Sequence, residues 1–260
     1  MTVSMHHLFI APPVFDTLAT AVARSLAQGQ GDLVGAGLGR AALGPVEGAG
    51  VIIDQAIFGR AGAGLKGFFP LAGARAKAFA GLLRAPVGRI VVPVMPLDQA
   101  WPMMWRQQAG RKVMPDFDRI GPKLCRFKRG WAHVVAELIE AFAPQEMIVL
   151  PAPVSSAQVL GALVPEVGLQ SFAPARGVFP DRALAMLQGL YRQGGQVSPQ
   201  EAARLAAQHA NAPQTAPLAA FSELERADLR RRFAAEMEQM AAMPGVRIGL
   251  DGLDFASAAQ

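Results

Sequence analysis

Eight cationic side chains crowd one short stretch of this chain: Arg106, Arg111, Lys112, Arg119, Lys123, Arg126, Lys128 and Arg129. Only Asp116 and Asp118 oppose them, which leaves the stretch at +6 where the whole chain carries +5. The rest of the protein is therefore close to neutral. A basic loop with Phe117 and Phe127 interleaved can bind nucleic acid, a phosphorylated or sulfated ligand, or an acidic lipid surface. The competing reading is a solvated face, the commoner fate of a charge run. A nucleic-acid or membrane role requires the cations to share an exposed face with one of those phenylalanines, and its affinity would fall steeply with salt.

Asp54 is the second candidate. It ends the apolar run Val51-Ile52-Ile53 and stands beside Gln55, where the carboxyl edge of a parallel sheet presents side chains to a ligand. An acid–base role there competes with a helix N-cap, for which aspartate is a preferred residue. The histidines, His6, His7, His133 and His209, fall in no HxxxH or HExxH pattern. Cys125 has no evident histidine partner, and no G-x-S-x-G elbow occurs. Metal and nucleophile chemistry are thus without a motif. His6 and His7 precede a strand and are expected at the sheet's N-terminal edge, away from ligands. The single cysteine excludes an internal disulfide and fits a reducing compartment. With no leader of the basic-then-apolar kind and no apolar run near the roughly 20 residues that span a bilayer, a soluble cytoplasmic protein is expected.

The elements that position these residues follow from hydrophobic periodicity. Four short apolar runs, 7–10, 51–53, 89–95 and 147–150, alternate with amphipathic helices. The clearest helix is 131–142, where Trp131, Val134, Val135, Leu138, Ile139 and Phe142 recur on one face. This cadence predicts an α/β fold: three layers, a mostly parallel sheet of four or five strands flanked by helices. Residues 1–155 form that core and 156–260 a mainly helical extension, within one domain. Pro93 forfeits a ladder hydrogen bond, which places its strand near an edge or a bulge. The Gly-rich stretch 29–50 reads as a loop with at most one short helix. Ser198 and Ser222 each open a capping box, and 246–250 can return as a short strand.

The first strand is followed by Ala11-Pro12-Pro13-Val14 and then a helix. In nucleotide-binding α/β proteins this turn carries glycines and a lysine, so that backbone N–H groups and an ammonium wrap a phosphate. Here two prolines remove donors and neither a glycine nor a cation is present. Architecture and local chemistry point in opposite directions.

Taken in order, the elements resemble those of the bacterial sulfotransferase-like family. Residues 51–59 (VIIDQAIFG) resemble its second-strand segment, and 89–108 (RIVVPVMPLDQAWPMMWRQQ) its strand and helix at the cofactor's 3′-phosphate. Residues 131–151 and 221–245 resemble the later helix and strand and the terminal helix. The resemblance implies a P-loop-type fold that binds 3′-phosphoadenosine 5′-phosphosulfate (PAPS) and transfers its sulfuryl group to a hydroxyl or amine. It also implies a cation, a glycine and a threonine in the first loop, of which only Thr17 matches by position. The arginine and serine implied for the 3′-phosphate are replaced by Val94-Met95-Pro96 and by Pro102, Met103 and Met104. Losing one buried phosphate-contacting charge costs on the order of 2–5 kcal/mol. The expectation is therefore a degenerate cofactor site in a non-catalytic or repurposed protein, which needs no cofactor and binds a protein partner or an anionic small molecule. The alternative is an active enzyme with a rearranged site, Asp54 as base and PAPS held by the basic loop, Lys66 or Arg75. The enzyme requires a Lys or Arg within hydrogen-bond reach of the first loop, close to Thr17; a scaffold requires none and would show an apolar cleft. Nucleic acid is the least expected partner.

Overall fold

The computed structural model describes residues 5–43, 50–174, 179–210 and 217–250. The first half runs β1 (His6–Ile10), a 3-10 turn (Pro13–Phe15), α1 (Asp16–Gln28), α2 (Gln30–Gly35), β2 (Arg40–Leu43), β3 (Gly50–Asp54), α3 (Ala61–Leu65), α4 (Ala72–Ala80), β4 (Val87–Val94) and α5 (Leu97–Ala109). The second half runs α6 (Phe117–Cys125), α7 (Trp131–Phe142), β5 (Glu146–Pro151), α8 (Ser156–Leu163), α9 (Asp181–Arg192), α10 (Pro199–Gln208), α11 (Glu223–Ala241) and β6 (Val246–Ile248). The strands form one sheet in the order β2-β3-β1-β4-β5-β6, and every pairing is parallel. Helices flank it, α1 packing on α8 and α4 on α7, which gives the three-layer α/β fold that the cadence predicts.

The central strands explain why the sheet is parallel and covered. Leu8, Phe9, Ile10, Val51, Ile52, Ile90, Val91 and Val92 are all fully buried, so these strands read as continuous apolar runs rather than alternating ones. Phe9 of β1 lies in register between Ile53 of β3 and Val91 of β4. The His6 and His7 end of β1 lies at the amino edge, paired with Val87, Val51 and Arg89.

Three expectations need correction. The sheet has six strands, because Arg40-Ala41-Ala42-Leu43 pairs with β3 inside the Gly-rich stretch read as a loop. Those four residues include no β-branched or aromatic side chain, so pairing rather than propensity makes the strand. Pro93 sits in a central strand, between β1 and β5, and not at an edge. It lies beyond the last β1 register pair, Phe9 with Val91, so its missing N–H falls where β1 has already ended. The basic segment is no simple loop, since Phe117–Cys125 is helical despite Pro122 within it.

Helix α5 matters most for function. Its packing partners are α3, the 3-10 turn, α6, α9 and α11, so it spans the region beyond the strand ends instead of covering a sheet face. Trp101 Nε1 donates to the Gly64 carbonyl at 3.3 Å and Trp105 Nε1 to the Pro115 carbonyl at 2.9 Å. These bonds tie α5 to α3 on one side and to the 110–116 segment on the other. The later helices α9, α10 and α11 follow, and β6 then returns the chain to β5. Among the described residues, no helix is long and apolar enough to cross a membrane.

Candidate functional site

From β1 the chain winds toward β3 and then crosses back to β4, so the direction of winding reverses at the sheet's centre. In open α/β sheets the crevice beyond the carboxyl ends at such a point is where ligands bind. The turn after β1 does not use it in the usual way. Pro12 and Pro13 are buried, and Val14 and Phe15 point into the core. Gln107 Nε2 donates to the Pro13 carbonyl at 2.7 Å, so the turn presents an acceptor toward α5. Asp16 occupies the first turn of α1 and supplies a negative group at the positive end of that helix. The place a phosphate would take is closed by carbonyl, carboxylate and apolar side chains.

Beside it lies a cleft of about 990 Å³. Pro13 and Gln55-Ala56 form its floor at the ends of β1 and β3, with α3 and the C-terminal end of α5 as walls. Arg60, Lys66, Arg75, Arg111 and Lys112 all line it, with Asp16 as the one carboxylate. Among the described residues, none of the five cationic groups makes an ion pair or a side-chain hydrogen bond. Elsewhere the half-buried arginines are spoken for: Arg89 by Glu146, Arg106 by Asp181, Arg129 by Glu137 and Arg232 by Glu236. Glycine is favoured at position 59 by its φ of +69°, and the Arg75 guanidinium lies against its Cα.

Thr17 lines a smaller neighbouring cleft of about 150 Å³, together with Asp16, Met103, Arg106, Gln107 and Arg111. Asp16, Gln107 and Arg111 border both spaces. Burial raises the Asp16 carboxyl above its ordinary pKa, and the positive charge of Arg111 acts against that rise. Arg106 and Arg111 thus border the space that Thr17 lines.

Asp54 is placed differently from a catalytic base. It is only 5% exposed, and its Oδ1 accepts from the Ala56 N–H at 3.0 Å and the Ile57 N–H at 2.8 Å. Burial raises its carboxyl, with those two hydrogen bonds acting in the opposite sense. It caps the loop that carries Gln55, Ala56 and Gly59 to the cleft, and it is not itself a lining residue. This is an Asx-type turn and not the helix N-cap that competed with acid–base chemistry here, since the next helix, α3, starts only at Ala61 with Arg60 as its N-cap.

The basic segment is divided among several tasks. Arg111 and Lys112 reach the large cleft, and Lys123 lines an adjoining pocket. Arg106 pairs with Asp181 at 3.2 Å. Arg129 donates to the Phe68 and Phe69 carbonyls at 3.0 and 3.1 Å and grips Glu137 through both terminal nitrogens. Phe68 and Phe69 are fully buried at φ +52° and +60°, a conformation that persists only where surroundings enforce it. Arg129 is that enforcement, and it shapes the turn between Lys66 and Arg75. Arg119, Arg126 and Lys128 are exposed. Phe117 is buried against Trp105 and Phe221, and Phe127 packs edge-on against Trp101. Phe127 is half-buried and lines the pocket that Lys123 borders, while Phe117 is withdrawn from the surface.

The sequence reading missed Gln188. From the buried face of α9 its Nε2 donates to the carbonyls of Ala109 and Lys112 at 2.7 and 2.8 Å, and its Oε1 accepts from the Met114 N–H at 2.8 Å. One amide thereby fixes the backbone that carries Arg111 and Lys112. The available signal was an amide directly after Leu187, on a helix whose Ala183, Leu184 and Leu187 form an apolar stripe. No protein-family model, no curated protein and no solved structure matches this chain.

Proposed function

We propose that this protein binds a small molecule bearing phosphate or sulfate groups in the cleft beyond the sheet's carboxyl edge, as a sulfotransferase-like protein whose first loop has lost its cofactor role. The observation that carries this reading is the set Arg60, Lys66, Arg75, Arg111 and Lys112 around one cleft, with Asp16 as the single opposing charge. Clustered like charges repel and destabilise the compact state. Five cations set against one internal carboxylate are balanced when an anion occupies the cleft. Arginine suits the task, since its fork matches phosphate and sulfate oxygens.

Calorimetric titration with adenosine 3′,5′-bisphosphate tests the reading. Micromolar binding is expected, weakened at least tenfold in an Arg75→Gln, Arg111→Gln double variant. Absence of binding at millimolar concentrations, or binding untouched by the double variant, would overturn it. A second reading, sulfuryl transfer from PAPS, is favoured by Asp16, Thr17 and Arg111 bordering the smaller cleft. There Asp16 takes the proton of an acceptor hydroxyl while Arg111 stabilises developing charge. PAPS-dependent turnover that Asp16→Asn removes without loss of affinity would support it, and no turnover in the unaltered protein would exclude it.

A further inference from the structure

The cationic cleft does not end at its rim. Gly62, Lys66, Gln108 and Lys112 also border a second pocket of about 400 Å³. That pocket lies between α3 and α6, and its walls are Leu65, Val113, Met114, Ile120, Leu124 and Phe127, with Lys123 at its margin. The two spaces therefore adjoin along a shared border but are opposite in character. One is ringed by five cations against the single carboxylate of Asp16; the other is apolar with its lysines confined to the border it shares with the first and to Lys123. Both volumes fall in the range of small-molecule sites. Gly62 and the Gln108 side chain meet on that border, where a Cβ on Gly62 would come within 3.3 Å of Gln108 Oε1.

We infer that the ligand is an amphiphilic anion, a single small molecule whose phosphate or sulfate head lies among Arg60, Lys66, Arg75 and Arg111 and whose apolar chain runs past Gly62 and Lys112 onto Ile120, Leu124 and Phe127. This inference rests on the anion-binding reading above and adds the second half of the ligand. Charge complementarity sets its direction. A head group cannot enter the apolar pocket without losing hydration, and an apolar chain gains nothing from the cationic ring, so only one orientation satisfies both. Lys66 and Lys112 stand at the junction, where their ammonium groups face the head and their methylene stems cover the start of the chain.

The test is a calorimetric series of ethyl, butyl, hexyl and octyl phosphate, each below its micelle concentration, beside inorganic phosphate and adenosine 3′,5′-bisphosphate. Affinity is expected to rise with chain length by roughly two- to fourfold per methylene, up to the limit set by full burial. Val113→Asn should flatten that rise while leaving inorganic phosphate binding unchanged. Val113 is 51% exposed, so the substitution leaves the core intact. Ile120→Asn, on the facing helix, should act in the same way. Alkyl phosphates that all bind like inorganic phosphate would overturn the amphiphile and leave the anion site standing. Binding by none of the anions would overturn both readings. A chain-length gain unaffected by either variant would put the chain elsewhere and sink the assignment. Binding to anionic vesicles without binding of monomeric octyl phosphate would give the face to a membrane and sink it equally.

Discussion

Burial raises the Asp54 carboxyl while two backbone N–H groups hold its oxygen, and a cap and a base respond differently when that group is changed. Asp54→Asn keeps an acceptor oxygen for Ala56 and Ile57 and removes the buried charge. It should stay within about 1 kcal/mol of the unaltered protein and bind adenosine 3′,5′-bisphosphate equally well, whereas Asp54→Ala should lose about 1–3 kcal/mol in urea unfolding. A base would instead show lost turnover in both. His6 makes a second case. It is fully buried with neither ring nitrogen in a well-formed hydrogen bond, and burial lowers its pKa from 6.5 while the Gly50 backbone acts in the opposite sense; His7 is lowered too, by burial and then by Arg89. A histidine with a depressed folded pKa is neutral in both states above 6.5, and below that value the unfolded chain binds more protons. Stability is therefore expected to be full above pH 6.5 and to fall as the pH drops through the window below it. The raised Asp16 and Asp54 act in the opposite sense, because their protonation removes a buried charge. Comparison of urea midpoints on either side of pH 6.5, with His6→Leu alongside, isolates the histidine: the variant should lose part of the acid sensitivity. An unchanged pH dependence would contradict this account of His6.

Elements position the cleft more than they line it. Helix α9 contributes nothing to the large cleft, yet Gln188 clamps the segment bearing Arg111 and Lys112, and Tyr191 Oη donates to the Gly110 carbonyl at 3.1 Å beside it. Gln188→Leu leaves two carbonyls and one N–H without partners, which should cost about 2–3 kcal/mol and weaken anion binding about tenfold as the segment loosens. Stability that falls with affinity unchanged would make Gln188 structural only. The start of α7 shows the same borrowing between distant elements. Gly130 provides no side chain to cap it, so Glu236 of α11 accepts from the Trp131 N–H at 2.7 Å and pairs with Arg232, which in turn donates to the Phe127 and Arg129 carbonyls. A Cβ at Gly130 would occupy the space of the Glu236 carboxylate. The basic segment is thus anchored at one end by α9 and at the other by α11. Local pattern could place these helices; it could not show which of their polar residues reach across more than 70 positions of sequence to hold a loop.

At the scale of the molecule, the α/β cadence was legible because parallel strands buried on both faces read as bare apolar runs. The strand at 40–43 was not, because Arg-Ala-Ala-Leu has no intrinsic claim to be one and depends on β3. Loss of donors in the first turn was legible from Pro12 and Pro13 alone. The cleft that replaces it was not, since Arg60, Lys66, Arg75 and Arg111 come from three separate stretches that only tertiary packing brings together. What the composition recorded as excess charge in one segment is, in space, two residues of that segment meeting three from elsewhere. The same division accounts for Arg129, whose charge counted toward the run but serves the Phe68-Phe69 turn. The central claim is that the anion enters this cleft, and arginine-side-chain NMR reads it most directly. With guanidinium Nε–H signals assigned and adenosine 3′,5′-bisphosphate titrated in, the signals of Arg60, Arg75 and Arg111 should shift together while those of Arg119 and Arg126 stay in place. Shifts confined to Arg119 and Arg126, or no shift at saturating ligand, would contradict it.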